Sequence, residues 1–208
     1  MHHIKSQALN QSVLALSSLA INLVPLYGML VSQWARTTTL ALYFCEGVTL
    51  LVLTYLRLRF FLPAREEKPG SKPRVRREVI QGYLAFVGMG MFVIGVFLSV
   101  ILFMLLKTTI PFSYLGPALL VIVVFQLIAF LSDFLLVRPA SFDQGDLWIH
   151  QSMQRFAVLY FAIFIGLALG VFNADWVFYP FVALKILVDV GSPLEQIVKS
   201  KRAKAPVV

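Results

Sequence analysis

The chain has 208 residues, of which 59% are hydrophobic and 13% charged, with a formal net charge of +8. Soluble domains carry about 25% charged residues, so the composition excludes that class and places the chain among polytopic helical membrane proteins. The alternating short strands of a β-barrel are absent, and a single cysteine, Cys45, excludes an intramolecular disulfide.

A backbone in hydrocarbon must satisfy its own hydrogen bonds, so sustained apolar runs of about 20 residues read as helices. The weakly basic start, Met1-His2-His3-Ile4-Lys5, leads into the first run. Ser18-Leu19-Ala20 mimics a cleavage site, but apolar character continues through Ile21–Val31, which predicts an uncleaved span. Six spans are expected in all: Val13–Val31, Thr38–Leu56, Gln81–Leu106, Pro117–Leu136, Phe156–Phe172 and Trp176–Val190. Turns are expected at Gln33–Arg36, at Ile110–Phe112 with Gly116-Pro117, and at Asn173–Asp175. Trp34, Trp148 and Trp176 fall at predicted span ends, as an aromatic belt requires.

The basic residues orient this all-α bundle. Lys5, Arg57, Arg59, Arg65, Lys68, Lys72, Arg74, Arg76, Arg77, Arg138, Arg155, Lys199, Lys201, Arg202 and Lys204 fall on one side of a six-span protein. Only Arg36 and Lys107 fall on the other, and Lys185 lies within a span. Cytoplasmic loops retain Lys and Arg, so both termini are expected in the cytoplasm and the protein in the cytoplasmic (inner) membrane. The loop 57–78 holds Pro63, Pro69, Gly70 and Pro73 and reads as extended. Its basic cluster, with Arg74, Arg76 and Arg77 foremost, either fixes topology alone or also attracts anionic lipid headgroups. Nucleic-acid binding is not expected, because Phe60 and Phe61 precede the basic cluster rather than interleave with it. No internal repeat is found: the fifth span offers no ionisable counterpart to Glu46.

Several segments, taken in order, resemble an uncharacterised family of small bacterial multi-pass membrane proteins catalogued as domain of unknown function 6498. Asn22-Leu23-Val24-Pro25-Leu26 is similar to the family's opening Asn-Leu-Val/Ile-Pro-Leu. Tyr43-Phe44-Cys45-Glu46 resembles its Tyr-Trp-Leu-Glu element, although Gly47 stands where an Asn commonly follows. Gly88 and Gly95 match a Gly-rich third span, and Leu184-Lys185-Ile186-Leu187-Val188-Asp189 resembles its closing Leu-Lys-Thr-x-x-Asp. The family's third-span histidines are missing here, and Ser132-Asp133 replaces a Ser-His pair in the fourth span. The resemblance implies a membrane architecture and leaves activity open.

Polar residues inside spans are the candidates for a site, since a charge at the bilayer centre costs roughly 3 kcal/mol. Asn22, Glu46 and Lys185 each lie about ten residues from a span end, near the midplane, with Asp189 one turn away on the face of Lys185. One reading is a buried Glu46–Lys185 or Asp189–Lys185 pair that fixes helix packing; the other is an ion or proton pathway through Glu46. Asp133 lies toward the cytoplasmic end of the fourth span. Cys45, away from any cationic activation, reads as packing. Ala162, Gly166 and Gly170 form a small-residue ladder that lets another helix approach, in the same chain or in a dimer. Asp143, Asp146 and His150 share a helical face, but with Phe142, Leu147, Trp148 and Ile149 around them they suggest an interfacial helix rather than a metal site. His2, His3 and His150 all lie outside the spans, so no haem ligand is available, and no motif for a cofactor or nucleophile is present.

The expectation is therefore a non-enzymatic integral membrane protein, a structural or accessory subunit with a possible membrane-protein partner. The alternative is a small transporter or ion-coupled permease using Glu46, Lys185 and Asp189.

Overall fold

A computed structural model describes residues 2–32, 34, 36–66, 73–100, 112–136, 141–171 and 183–191. The order is α1 (His2–Leu30), α2 (Arg36–Phe61), β1 (Arg65–Glu66), β2 (Arg74–Val75), α3 (Arg76–Tyr83), a π-helical turn (Leu84–Gly88), α4 (Met89–Ser99), α5 (Phe112–Leu136) and α6 (Phe142–Val171). A last helix, α7, covers residues 183–191. Among the described residues the fold is all-helical apart from the short antiparallel β1–β2 pair, in register Arg65↔Val75 and Glu66↔Arg74. Among the described residues, four helices are long and apolar enough to cross a membrane: Ser12–Leu30, Thr38–Phe61, Arg76–Ser99 and Ser113–Leu135.

The distribution of polarity is inverted relative to a soluble protein. Large apolar side chains such as Leu16, Phe86, Phe92, Leu120 and Leu135 are exposed, while Asn22, Glu46, Arg57, Asp133, Lys185 and Asp189 are buried. Buried polar groups and an exposed apolar skin are the informative departures from a soluble surface, and charges in membrane helices face the bundle interior. The chain is a membrane protein on this evidence as well as on composition.

Helix α2 is the hub. It packs against α1, α5 and α6 and against the α3–α4 rod, and 56% of its apolar window is buried against 28–33% in the other three candidate spans. One side of α2 joins Tyr83, Val87, Met91, Ile94 and Leu98, a stripe at three- and four-residue spacing along α3–α4, to Phe156 and Leu159 of α6. The other side meets α1 and α5 through Ala41, Leu42, Ile21, Leu115, Ala118 and Ile122. Gly47 sits where α2, α4 and α6 converge: a Cβ there would lie 2.6 Å from Leu159 Cδ2 and 2.9 Å from Met91 Cε. Its missing side chain is what lets the helices close.

Several boundaries differ from the sequence expectation. The segment expected as an extended loop over 57–78 begins as the last turn of α2, folds into the β1–β2 pair and re-enters a helix at Arg76. Arg74 ties this hairpin to α6: Nη1 and Nη2 donate to Asp146 Oδ2 at 2.8 Å and Oδ1 at 2.6 Å, and its guanidinium lies over the Phe142 ring. That hydrogen bonding holds Arg74 above the ordinary arginine range. Gly116-Pro117 does not form a turn; α5 begins five residues earlier, and Pro117 removes one backbone bond in its opening turns.

The interfacial helix expected around Phe142–Ile149 and the fifth span are one continuous helix of 30 residues. It starts with a capping box, Ser141-Phe142-Asp143-Gln144, in which the Gln144 N–H donates to Ser141 Oγ. A buried stripe of Phe142, Trp148, Ser152, Phe156 and Leu159 then runs through without a break. Trp148 is therefore not part of an aromatic belt; it is buried against Phe61 at 5.8 Å between ring centroids. Trp176, the interior of the sixth span before residue 183, and the side chains of the ladder Ala162, Gly166 and Gly170 lie outside the described residues.

Replacing Gly47 by Leu should destabilise the protein by about 1–3 kcal/mol, because the side chain must displace Leu159 and Met91. Gly88→Leu, at a position where a Cβ meets nothing within 4 Å, should leave thermal unfolding in detergent nearly unchanged. Equal melting temperatures for the two variants would refute the close approach at Gly47.

Candidate functional site

Lys185 is the centre of the buried network. An ammonium carries three donors and no acceptor, and Lys185 Nζ donates to Asp189 Oδ2 at 2.7 Å, to Glu46 Oε1 at 2.8 Å and to Asn22 Oδ1 at 3.0 Å. Asp189 is the i+4 neighbour on α7, Glu46 comes from α2 and Asn22 from α1. Asn22 is oriented in turn by its Nδ2, which donates to Asp189 Oδ2 at 2.9 Å and to the Ser18 carbonyl at 2.8 Å. The ammonium also lies 5.3 Å from the centroid of the Tyr43 ring, a favourable cation–π placement. The four polar residues singled out in the sequence thus meet at one point. Their close geometry matches the buried ammonium and gives each of its three donors an acceptor.

Arg155 of α6 extends the network. Its Nε lies 3.7 Å from Asp189 Oδ1 and its Nη2 donates to Ser18 Oγ at 2.9 Å. Asp189 makes its shorter contact with Lys185, so Arg155 is the more loosely paired cation. Glu46 Oε2 and Asp189 Oδ1 are buried without a hydrogen-bond donor.

A second buried cluster lies toward the other end of α2. Arg57 Nε pairs with Asp133 Oδ2 at 2.8 Å, and its guanidinium stands over the Phe130 ring. Asn10 Nδ2 donates to Asp133 Oδ1 at 2.9 Å, and Ser132 Oγ donates to Asn10 Oδ1 at 2.8 Å. Arg57 and Arg155 were assigned by sequence to the basic cytoplasmic loops; both instead lie within helices and face inward. Glu46 and Arg57 are eleven residues apart, close to three full turns, so one face of α2 carries both clusters.

Between the clusters is a partly open chamber of about 50 Å³ lined by α1, α2, α5 and α6. Its polar wall consists of Ser17, Ser18, Thr54, Gln126, Gln151 and Ser152, with Arg57 and Asp133 at one end and Arg155 at another. Ser152 is held by Tyr83, their oxygens 2.8 Å apart. Sequence reasoning did not find Asn10, Arg57, Arg155 or this chamber. The signal available was the eleven-residue spacing of Glu46 and Arg57, which puts two charges on one helical face.

The basic residues considered for lipid headgroups divide. Arg74 is committed to Asp146, and Arg76 Nη1 donates to the Leu62 carbonyl at 3.1 Å, while Arg77 is exposed. Asp146 of the Asp143, Asp146 and His150 set is the partner of Arg74, and His150 Nε2 is within 3.1 Å of Gln154 Nε2.

No curated protein and no solved structure shows significant similarity to the chain. A family model does match, over residues 5–207. The span it covers includes every residue of both buried clusters, and the chain belongs to that family of unknown function, DUF6498.

Proposed function

We propose that this chain is a six-span protein of the cytoplasmic membrane, with both termini and the β1–β2 hairpin on the cytoplasmic side, acting as a non-enzymatic structural or accessory subunit. The observation that carries this reading is the complete use of the three Lys185 donors by acceptors on α1, α2 and α7. A cation so held acts as a clasp between helices. Water cannot rescue it in hydrocarbon, so the helices cannot separate without exposing an unpaired charge. The exposed Arg77 on the hairpin side supports contact with anionic headgroups, worth about 1 kcal/mol per basic residue near the surface. The exposed apolar faces of α4 and α5 offer surface to lipid or to a membrane-protein partner.

A second reading, a small ion-coupled permease, is favoured by two observations: the donor-free Glu46 Oε2 and the polar chamber beside Arg155. Unpaired acid oxygens at membrane depth are typical of ion and proton pathways. Co-purification of a stable partner from native membranes supports the subunit reading, and substrate-dependent currents in liposomes support the permease.

The clasp is tested by a double-mutant cycle. Lys185→Met should cost several kcal/mol, because it leaves Glu46 and Asp189 buried without their shared cation, and Glu46→Gln should cost less, because Asp189 stays on Lys185. The double variant should lose clearly less than the sum of the two. Strict additivity would remove the clasp and leave the pathway as the better reading.

Topology is tested separately. With Cys45→Ser as background, a cysteine at Arg77 should resist a membrane-impermeant thiol reagent in intact cells and react after permeabilisation. Full reaction in intact cells would invert the proposed orientation.

A further inference from the structure

We propose that the chamber between α1, α2, α5 and α6 is a binding site for one small monovalent anion of halide size. A void of about 50 Å³ exceeds the 10–15 Å³ needed for a single water, and polar groups stand among the apolar ones in its wall, so it can hold a solute. The charge of the wall decides what fills it. Arg57, Arg155 and Asp133 are the charged lining residues, giving two cations against one anion. Both oxygens of Asp133 are already engaged, one by Arg57 and the other by Asn10. That carboxylate is therefore already shared between Arg57 and Asn10.

Arg155 faces the chamber with its counter-charge displaced. Asp189 stands 3.7 Å away, outside the chamber wall, and is drawn to Lys185 at 2.7 Å. Beside Arg155 in the wall the hydroxyl of Ser17 and the amide of Gln151 can donate to an anion, while Thr54, Ser152 and the Gln126 amide nitrogen are already hydrogen-bonded. A guanidinium whose counter-charge is shared with Lys185 attracts a further anion where the surrounding dielectric is low. A void of about 50 Å³ matches chloride, bromide or nitrate in size, and a sugar acid such as gluconate is larger. This site requires neither the subunit nor the permease reading. A structural protein would hold the anion as a resident, and a permease would carry it.

The test uses the purified full-length protein at fixed ionic strength, with chloride, bromide or nitrate replacing gluconate. Halide binding should raise Tm saturably, by about 3 °C at a few-fold excess over Kd. Equilibrium dialysis with radioactive chloride should give a single bound ion per chain. Arg155→Gln should abolish both effects. Gln151→Leu, which narrows the chamber without removing a charge, should weaken chloride binding at least tenfold. If Tm is the same in chloride and gluconate and dialysis shows no bound chloride, the chamber holds water and the proposal is wrong. A rise that is linear in concentration and shared by all salts would be screening and would also overturn it. Wild-type dialysis keeps the proposal testable if either variant fails to fold.

Discussion

Burial of charge in a medium without water organises this molecule. Lys185 near the middle of the bundle can remain charged only if its three donors are met at once, and acceptors on three helices do so. The same demand recurs one step along α2, where Arg57 meets Asp133 and Asp133 in turn meets Asn10. In the two clusters three acids, Glu46, Asp133 and Asp189, thus stand against three bases, Arg57, Arg155 and Lys185. Apolar packing between membrane helices has little hydrophobic drive, because lipid is as apolar as the partner helix. Directional polar contacts are therefore what select the partners, and packing refines their separation.

This explains why α2 is central. It carries Glu46 and Arg57 on a common face and so must be within reach of α1, α5, α6 and α7. Close approach follows from local sequence: Gly47 removes the side chain where α4 and α6 press in. At the Arg57 end, Phe61 stacks among Phe130, Phe134 and Trp148, and the hairpin is held there by Arg74 on Asp146. Aromatic rings supply rigid area at low entropic cost, which suits the end of the bundle where the chain must turn.

The polar interior also leaves a void, and that is where structure passes into chemistry. An apolar cavity of this size would remain dry and merely weaken the fold. A cavity lined by hydroxyls, amides and two guanidinium groups instead creates local affinity for a solute. The network that fixes the helices and the chamber that could hold a ligand share Arg155 and Ser18. Occupancy of the chamber and the strength of the helix clasp are consequently linked through the same side chains.

Some of this was readable from residues alone. Composition determines the membrane class, because 59% hydrophobic residues cannot be covered by so little polar surface. A pairing of Lys185 with Glu46 or with Asp189 was legible as one of two readings, because few polar residues occupy the lipid-depth positions; that both acids and Asn22 meet Lys185 together was not. The capping box at Ser141–Gln144 marks the true start of α6, although Phe142–Ile149 reads equally well as a surface helix until Phe142 and Trp148 are seen to be buried. Arg57 and Arg155 were illegible for a definite reason. They stand at span ends, where water could solvate them, and only the position of Asp133 and Asp189 on neighbouring helices turns them inward. The chamber is beyond sequence altogether. Sequence fixes which residues are polar and which face of a helix they share; the volume left between four helices depends on how far their side chains let them approach, and that is decided by tertiary packing.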